Sequence, residues 1–176
     1  MRASNQRGFT LIEVLISVVV LALLIMVGIP SFTVFIQNSK TRAAADGMMN
    51  GLQTARNEAI RRNACVQLQI INQTGWMVST CALPDRPLQT RSENEGSGTN
   101  VISTITPAGD TVSFNGLGRV VNPNPSDGSV PFNQVDLENS TLSVADNRKL
   151  RILVPPGGSL RMCDPKVAST DTRACP

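Results

Sequence analysis

The chain has 176 residues, with 16 Lys+Arg against 13 Asp+Glu, and neither His nor Tyr. Without His there is no Ser-His-Asp triad, no Cys-His nucleophile and no His-ligated metal site, so an assembly or binding role leads over catalysis. One soluble domain of ordinary size fits once any membrane segment is set aside.

The net charge of +3 conceals an uneven distribution: −5 over residues 82–147 and +4 over residues 148–176. That pattern implies no general attraction to nucleic acid, only a local basic patch near the C-terminal end.

Val14–Ser39 is an uncharged run of 26 residues. A bilayer needs about 20 in a helix, and a transmembrane segment is expected over about residues 11–33. Arg2 and Arg7 precede the run and favour a cytoplasmic N-terminus, against the weaker pull of Lys40 and Arg42 beyond it. A secretory signal peptide would end in a small-residue cleavage site, but this run passes into Gly28, Ile29 and Pro30. Glu13 lies just inside the run. A carboxylate in lipid is costly and usually has a functional partner.

Arg7-Gly8-Phe9-Thr10-Leu11-Ile12-Glu13 resembles the class III signal of type IV pilins and type II secretion pseudopilins. The resemblance implies that residues 1–8 are a leader cut off after Gly8 by a prepilin peptidase, which then N-methylates Phe9. It also makes Glu13 the family's acidic position and Pro30 its helix-bending proline. Physically, the amine freed on Phe9 can pair with Glu13 of a neighbouring subunit, each offsetting the other's desolvation.

Ala45, Met48, Leu52, Ala55 and Ala59 recur at helical spacing, widened by Met49 and Ile60. Lys40, Arg42, Asp46, Arg56, Asn57 and Arg61 take the opposite face. A helix over residues 9–62 would be about 80 Å long, with a bend or loosened turn at Gly28 and Pro30. Residues 63–176 should form a β-rich head packed on its second half.

Residues 65–81 read as a β-hairpin with its turn at Asn72-Gln73-Thr74-Gly75. Residues 84–100 read as a long polar loop. Strands are expected at 101–106, 111–114, 118–121, 134–144, 149–154 and 160–163, with a loop over 122–131 and a tail over 164–176. Gly116-x-Gly118 predicts a tight turn and not a dinucleotide fingerprint, since no third Gly opens a helix.

The helix end Arg56-Asn57-Glu58-Ala59-Ile60-Arg61-Arg62, the pair Gly75-Trp76, Phe114-Asn115-x-x-Gly118-Arg119, and Gly158…Arg161-x-Cys163 together resemble GspH/FimT-type minor pilins. That resemblance implies an α+β fold, a long N-terminal helix, transmembrane in its first half, packed on a small antiparallel β head. DNA-binding members of the branch carry Gly-Arg-x-Arg near this end. Here Gly158-Ser159-Leu160-Arg161 lacks the first Arg, which argues against a DNA-receptor role.

Four cysteines allow three pairings. A hairpin centred on residue 73 sets Cys65 opposite Cys81, and Cys163 with Cys175 would pin the tail; these short loops are favoured. A periplasmic head permits both bridges. Zinc is disfavoured by the lack of His and of any Cys-x-x-Cys. Arg148, Lys149, Arg151, Arg161, Lys166 and Arg173 form the basic end. They could meet DNA phosphates, but no aromatic follows Phe132 to stack on bases, so a solvated surface or an acidic subunit neighbour is preferred.

The sequence therefore reads as a minor type IV pilin without catalytic residues or cofactors, held in the bacterial inner membrane with its head in the periplasm. Its expected partners are the prepilin peptidase, other major and minor pilins and the pilus assembly platform. The alternatives are a type II secretion pseudopilin and a DNA-binding minor pilin of natural transformation.

Overall fold

Helix α1, Leu11–Arg62, begins and ends on built caps. The computed structural model describes residues 9–176, apart from the side chains of residues 27–30. The Thr10 hydroxyl accepts the Glu13 N–H at 3.3 Å, the N-cap bond of a Thr-x-x-Glu start. At the other end Asn63 takes a left-handed φ of 46°. The Asn63 N–H donates to the Ile60 carbonyl and the Ala64 N–H to the Ala59 carbonyl, both at 3.2 Å. This is a Schellman closure with Asn in the usual glycine place.

The helix continues without interruption through Gly28 and Pro30; the side chains that would characterise the expected bend lie outside the described residues. By its contacts the chain divides into a unit ending at Ile36 and a unit from Gln37 to Pro176. Among the described residues the first is helix from Leu11 on, and that helix is long and apolar enough to cross a membrane. Its apolar side chains are open, with Phe9, Leu11 and Leu24 at 82%, 83% and 66% exposure.

In the second unit the helix buries Ala44, Ala45, Met48, Leu52, Ala55 and Ala59 completely. Ile60 departs from the expected stripe: it is 45% exposed and lies against Gly118. Arg56, expected on the polar face, is only half-exposed and turns toward the same glycine.

The head holds two antiparallel sheets. Strands β1 (Val66–Ile71) and β2 (Gly75–Thr80) form the hairpin, with Val66 opposite Thr80 and Ile71 opposite Gly75. Alternation directs Val66, Leu68 and Ile70 of β1 and Trp76 and Val78 of β2 into the core. Strand β3 (Leu83–Arg91) lies beside β2, and β5 (Thr111–Phe114) beside β1 with β6 (Val120–Val121) outside it. The order is β3-β2-β1-β5-β6. The second sheet joins β4 (Val101–Thr106), β7 (Gln134–Asn139), β8 (Leu150–Leu153) and β9 (Arg161–Cys163), in the order β4-β7-β8-β9.

Strand β3 corrects the expected loop over 84–100. Pro84 and Pro87 argued against a strand, but β3 is a sheet edge and pairs only with β2. A proline there leaves no inner ladder bond unmade, and the pairing slips on both sides of Ser79. Strand β6 is shorter than expected because Gly118 and Arg119 belong to the Asn115 turn, and β7 because residues 140–149 leave the sheet as a loop.

Candidate functional site

The N-terminal segment presents its apolar and acidic groups outward. Phe9 is 82% exposed, and the Glu13 carboxylate is exposed without a partner among the described residues. The Glu13 backbone is fixed: its N–H meets Thr10, and its carbonyl accepts the Ser17 hydroxyl at 2.7 Å. The carboxylate is thereby positioned without being consumed. Gly8, the expected cleavage point, and Arg2 and Arg7 lie outside the described residues. Pro30 lies within the helix.

A second constellation locks helix to sheets. The Arg56 guanidinium donates to the Gly118 carbonyl at 3.1 Å. Gly118 closes the predicted tight turn: its N–H donates to the Asn115 carbonyl at 2.8 Å, and the Asn115 side-chain oxygen accepts the N–H groups of Leu117 and Arg119, each at 3.0 Å. Gly118 and Gly158 have φ of +73° and +77°, a conformation that suits residues without a Cβ. Helix end, Asn-x-x-Gly turn and Gly158 turn, separate in sequence, thus meet at one point. The adjoining Val120 N–H donates to the Pro156 carbonyl at 3.0 Å.

Two helical glycines seat the only Trp. The Trp76 indole N–H donates to the Gly47 carbonyl at 3.1 Å, and a Cβ on Gly51 would lie 2.6 Å from the indole ring. Arg91 occupies the space beside Gly47 and donates to the Ala43 carbonyl at 3.4 Å. Arg91 was not foreseen as a packing residue. The four-residue spacing of Gly47 and Gly51 in an otherwise Ala-rich helix is the sequence signal for a close approach.

Disulfides join Cys65 to Cys81 across the hairpin and Cys163 to Cys175. The second holds a tail with little apolar content, aided by Arg161 donating to the Ala174 carbonyl at 3.0 Å and by the Asp164–Ala174 bridge.

The basic end is largely engaged by the chain itself. Arg151 grips Asp136 with two bonds, at 2.6 and 2.8 Å, and Lys149 pairs with Glu138. The bidentate contact with Asp136 raises the Arg151 pKa, against a smaller opposing effect of desolvation. Lys166 donates to the carbonyls of Val144 and Asn147, and Arg173 pairs with Asp171 at 2.8 Å. Arg148 is exposed, without a side-chain partner among the described residues. The acidic 82–147 region thus supplies two carboxylates, Asp136 and Glu138, to the basic end of the same chain across the β7–β8 pairing, where the sequence suggested another subunit. Among the described residues no group of His, Cys, Asp and Glu is placed to hold a metal.

Comparison with known proteins accords with this geometry. The family model described as Type II transport protein GspH matches residues 44–158, and the Prokaryotic N-terminal methylation motif matches residues 3–29. No curated protein matches the chain. Two crystal structures of the type IV minor pilin FimU from Pseudomonas aeruginosa share the fold. The P21 form aligns with a TM-score of 0.55 and 17% identity over 75% of this chain and 97% of that one. The P65 form aligns with a TM-score of 0.51 and 17% identity over 71% and 97%.

Proposed function

Because the chain belongs to the GspH family of the type IV pilin and type II pseudopilin superfamily, we propose that it is a minor type IV pilin. Family membership makes it a structural, non-enzymatic protein that assembles with other pilins. The methylation motif implies a prepilin peptidase substrate, anchored in the inner membrane before assembly. In our reading the peptidase cuts after Gly8 and methylates Phe9. The head waits in the periplasm, and an assembly platform then moves the subunit into a pilus that it primes or joins.

The observation that carries this reading is the exposed Glu13 carboxylate, without a partner among the described residues, on a capped helix within the methylation motif. The amine freed on Phe9 of an incoming subunit and Glu13 of its neighbour are the only charges near that level of the apolar segment, so pairing them sets the register. Burial of apolar surface adds little while both subunits are still in lipid. The fold shared with a minor pilin supports the pilus assignment.

A second reading, a pseudopilin of a type II secretion system, is favoured by the description of the family model itself. DNA binding has less to stand on, since Lys149 and Arg151 are neutralised by Glu138 and Asp136.

The test counts sheared surface pili by electron microscopy in a strain lacking the gene, and after complementation with the wild type or Glu13→Val. Loss of pili, restored by the wild type but not by Glu13→Val, is expected. Unchanged pili with impaired protein secretion would move the assignment to the secretion system.

A further inference from the structure

The loop between β7 and β8, residues 140–149, is tied to the helix just beyond its membrane-spanning part. Asn38 donates to the Asp146 carbonyl at 2.9 Å, and the Arg148 N–H donates to the Asn38 side-chain oxygen at 2.9 Å. Asn139 reaches Gln37 at 3.1 Å. With the span ending near residue 33, Asn38 follows it by about 8 Å of helix. That short length of chain leaves a loop held by Asn38 within reach of the bilayer surface.

That loop is a built structure with an apolar apex. The Asp146 and Asn147 N–H groups both donate to the Ser143 carbonyl, at 3.2 and 3.0 Å. The Ser143 hydroxyl donates to the Asp146 carboxylate at 2.7 Å, and Asn147 closes the neck by donating to the Asn139 carbonyl at 2.8 Å. Val144 projects from this frame with 81% exposure. Beside it stand two cations that no carboxylate pairs with among the described residues: exposed Arg148, and Lys166 held on the Val144 and Asn147 carbonyls. Asp146 and Asp164 are the opposing charges, the first partly absorbed by Ser143 and the second accepting the Lys166 backbone N–H at 2.9 Å.

We propose that this loop is a second, peripheral membrane contact: Val144 seats at the headgroup boundary of an anionic phospholipid surface, and Arg148 and Lys166 face the lipid phosphates. An apolar side chain flanked by basic residues is the usual composition of such a contact. The occupant is a bilayer because the chain's own anchor delivers the loop to one. The contact would hold the head of the stored subunit at the membrane and be given up on entry into a filament. The inference rests on the membrane-anchored reading above.

The test uses the full-length chain with both disulfides intact, reconstituted in phosphatidylglycerol-containing or pure phosphatidylcholine vesicles. An environment-sensitive fluorophore is placed on Val144→Cys, with Leu24→Cys as the bilayer reference and Leu117→Cys, at the other end of the head, as the water reference. The expected result is a blue-shifted Val144 probe in anionic vesicles only, reverting as salt rises, while the Leu117 probe stays water-like. Arg148→Gln should move the balance about fivefold toward the free loop, the worth of one basic side chain at such a surface.

A water-like Val144 probe beside an inserted Leu24 probe overturns the loop contact and leaves the anchor standing. A water-like Leu24 probe overturns both. A Val144 shift equally strong in neutral vesicles overturns the anionic-lipid recognition, and one that grows only with protein density overturns the bilayer as occupant in favour of another subunit.

Discussion

Gly158 lies so close to Gly118 that a Cβ on Gly158 would fall 2.0 Å from the Gly118 carbonyl oxygen. That oxygen is also the acceptor for Arg56. Helix, hairpin sheet and C-terminal turn are thus joined through one carbonyl group. Gly158→Ala should destabilise the head by about 2–4 kcal/mol, combining left-handed strain with a backbone clash. Arg56→Ala, which deletes a charged donor without a clash, should cost about 1.5–3 kcal/mol. Denaturant unfolding of the detergent-solubilised chain measures both.

Gly51→Ala should reverse the usual effect of that substitution. In an exposed helix it stabilises by about 0.5–1 kcal/mol. Here the added methyl would lie 2.6 Å from the Trp76 ring, so destabilisation of about 1–3 kcal/mol is expected. Trp76→Phe, losing the bond to Gly47 and part of a buried ring, should cost about 1–3 kcal/mol. Thermal melts followed by far-UV circular dichroism measure both.

The Cys163–Cys175 bridge closes a loop with a sequence separation of 12. Replacing both cysteines by Ser should remove about 3 kcal/mol and expose residues 164–176 to limited proteolysis while the hairpin stays protected. Equal protection of the tail in the variant would contradict a pinning role.

Glu58 accepts bonds from both Arg61 and Arg62 at the end of the helix, which lowers its pKa from 4.5 to about 2. Because the folded pKa is depressed, the stabilisation is fully present above about pH 4.5 and is lost as the pH falls through about 2. Carboxyl NMR titration should place the Glu58 midpoint near the lower value, and Arg61→Gln should raise it.

Periodicity alone located the helix, its buried Ala-Met-Leu stripe and the hairpin, because each depends on contacts repeated every few residues. Cys65 opposite Cys81 followed from the hairpin register in the same way. Strand β3 was hidden because its two prolines carry opposite meanings at the centre and the edge of a sheet, and edge position is a property of the finished sheet. Arg56 and Arg91 were hidden because a long cationic side chain is soluble by default. Only the nearby glycines, with no Cβ in the way, let each one turn inward to a carbonyl.

The N-terminal segment is the part whose character is local: two arginines, an apolar run and one carboxylate favour membrane insertion through solvation alone, before any fold exists. The basic C-terminal end is the opposite case. As a string it carries a charge of +4, and nothing in it says where the counter-charges are. Pairing β7 with β8 sets Asp136 against Arg151 and places Glu138 within reach of Lys149. Cross-strand proximity, which no local pattern encodes, turns an apparent phosphate-binding patch into a largely neutralised sheet face and leaves Arg148 open on the loop between β7 and β8.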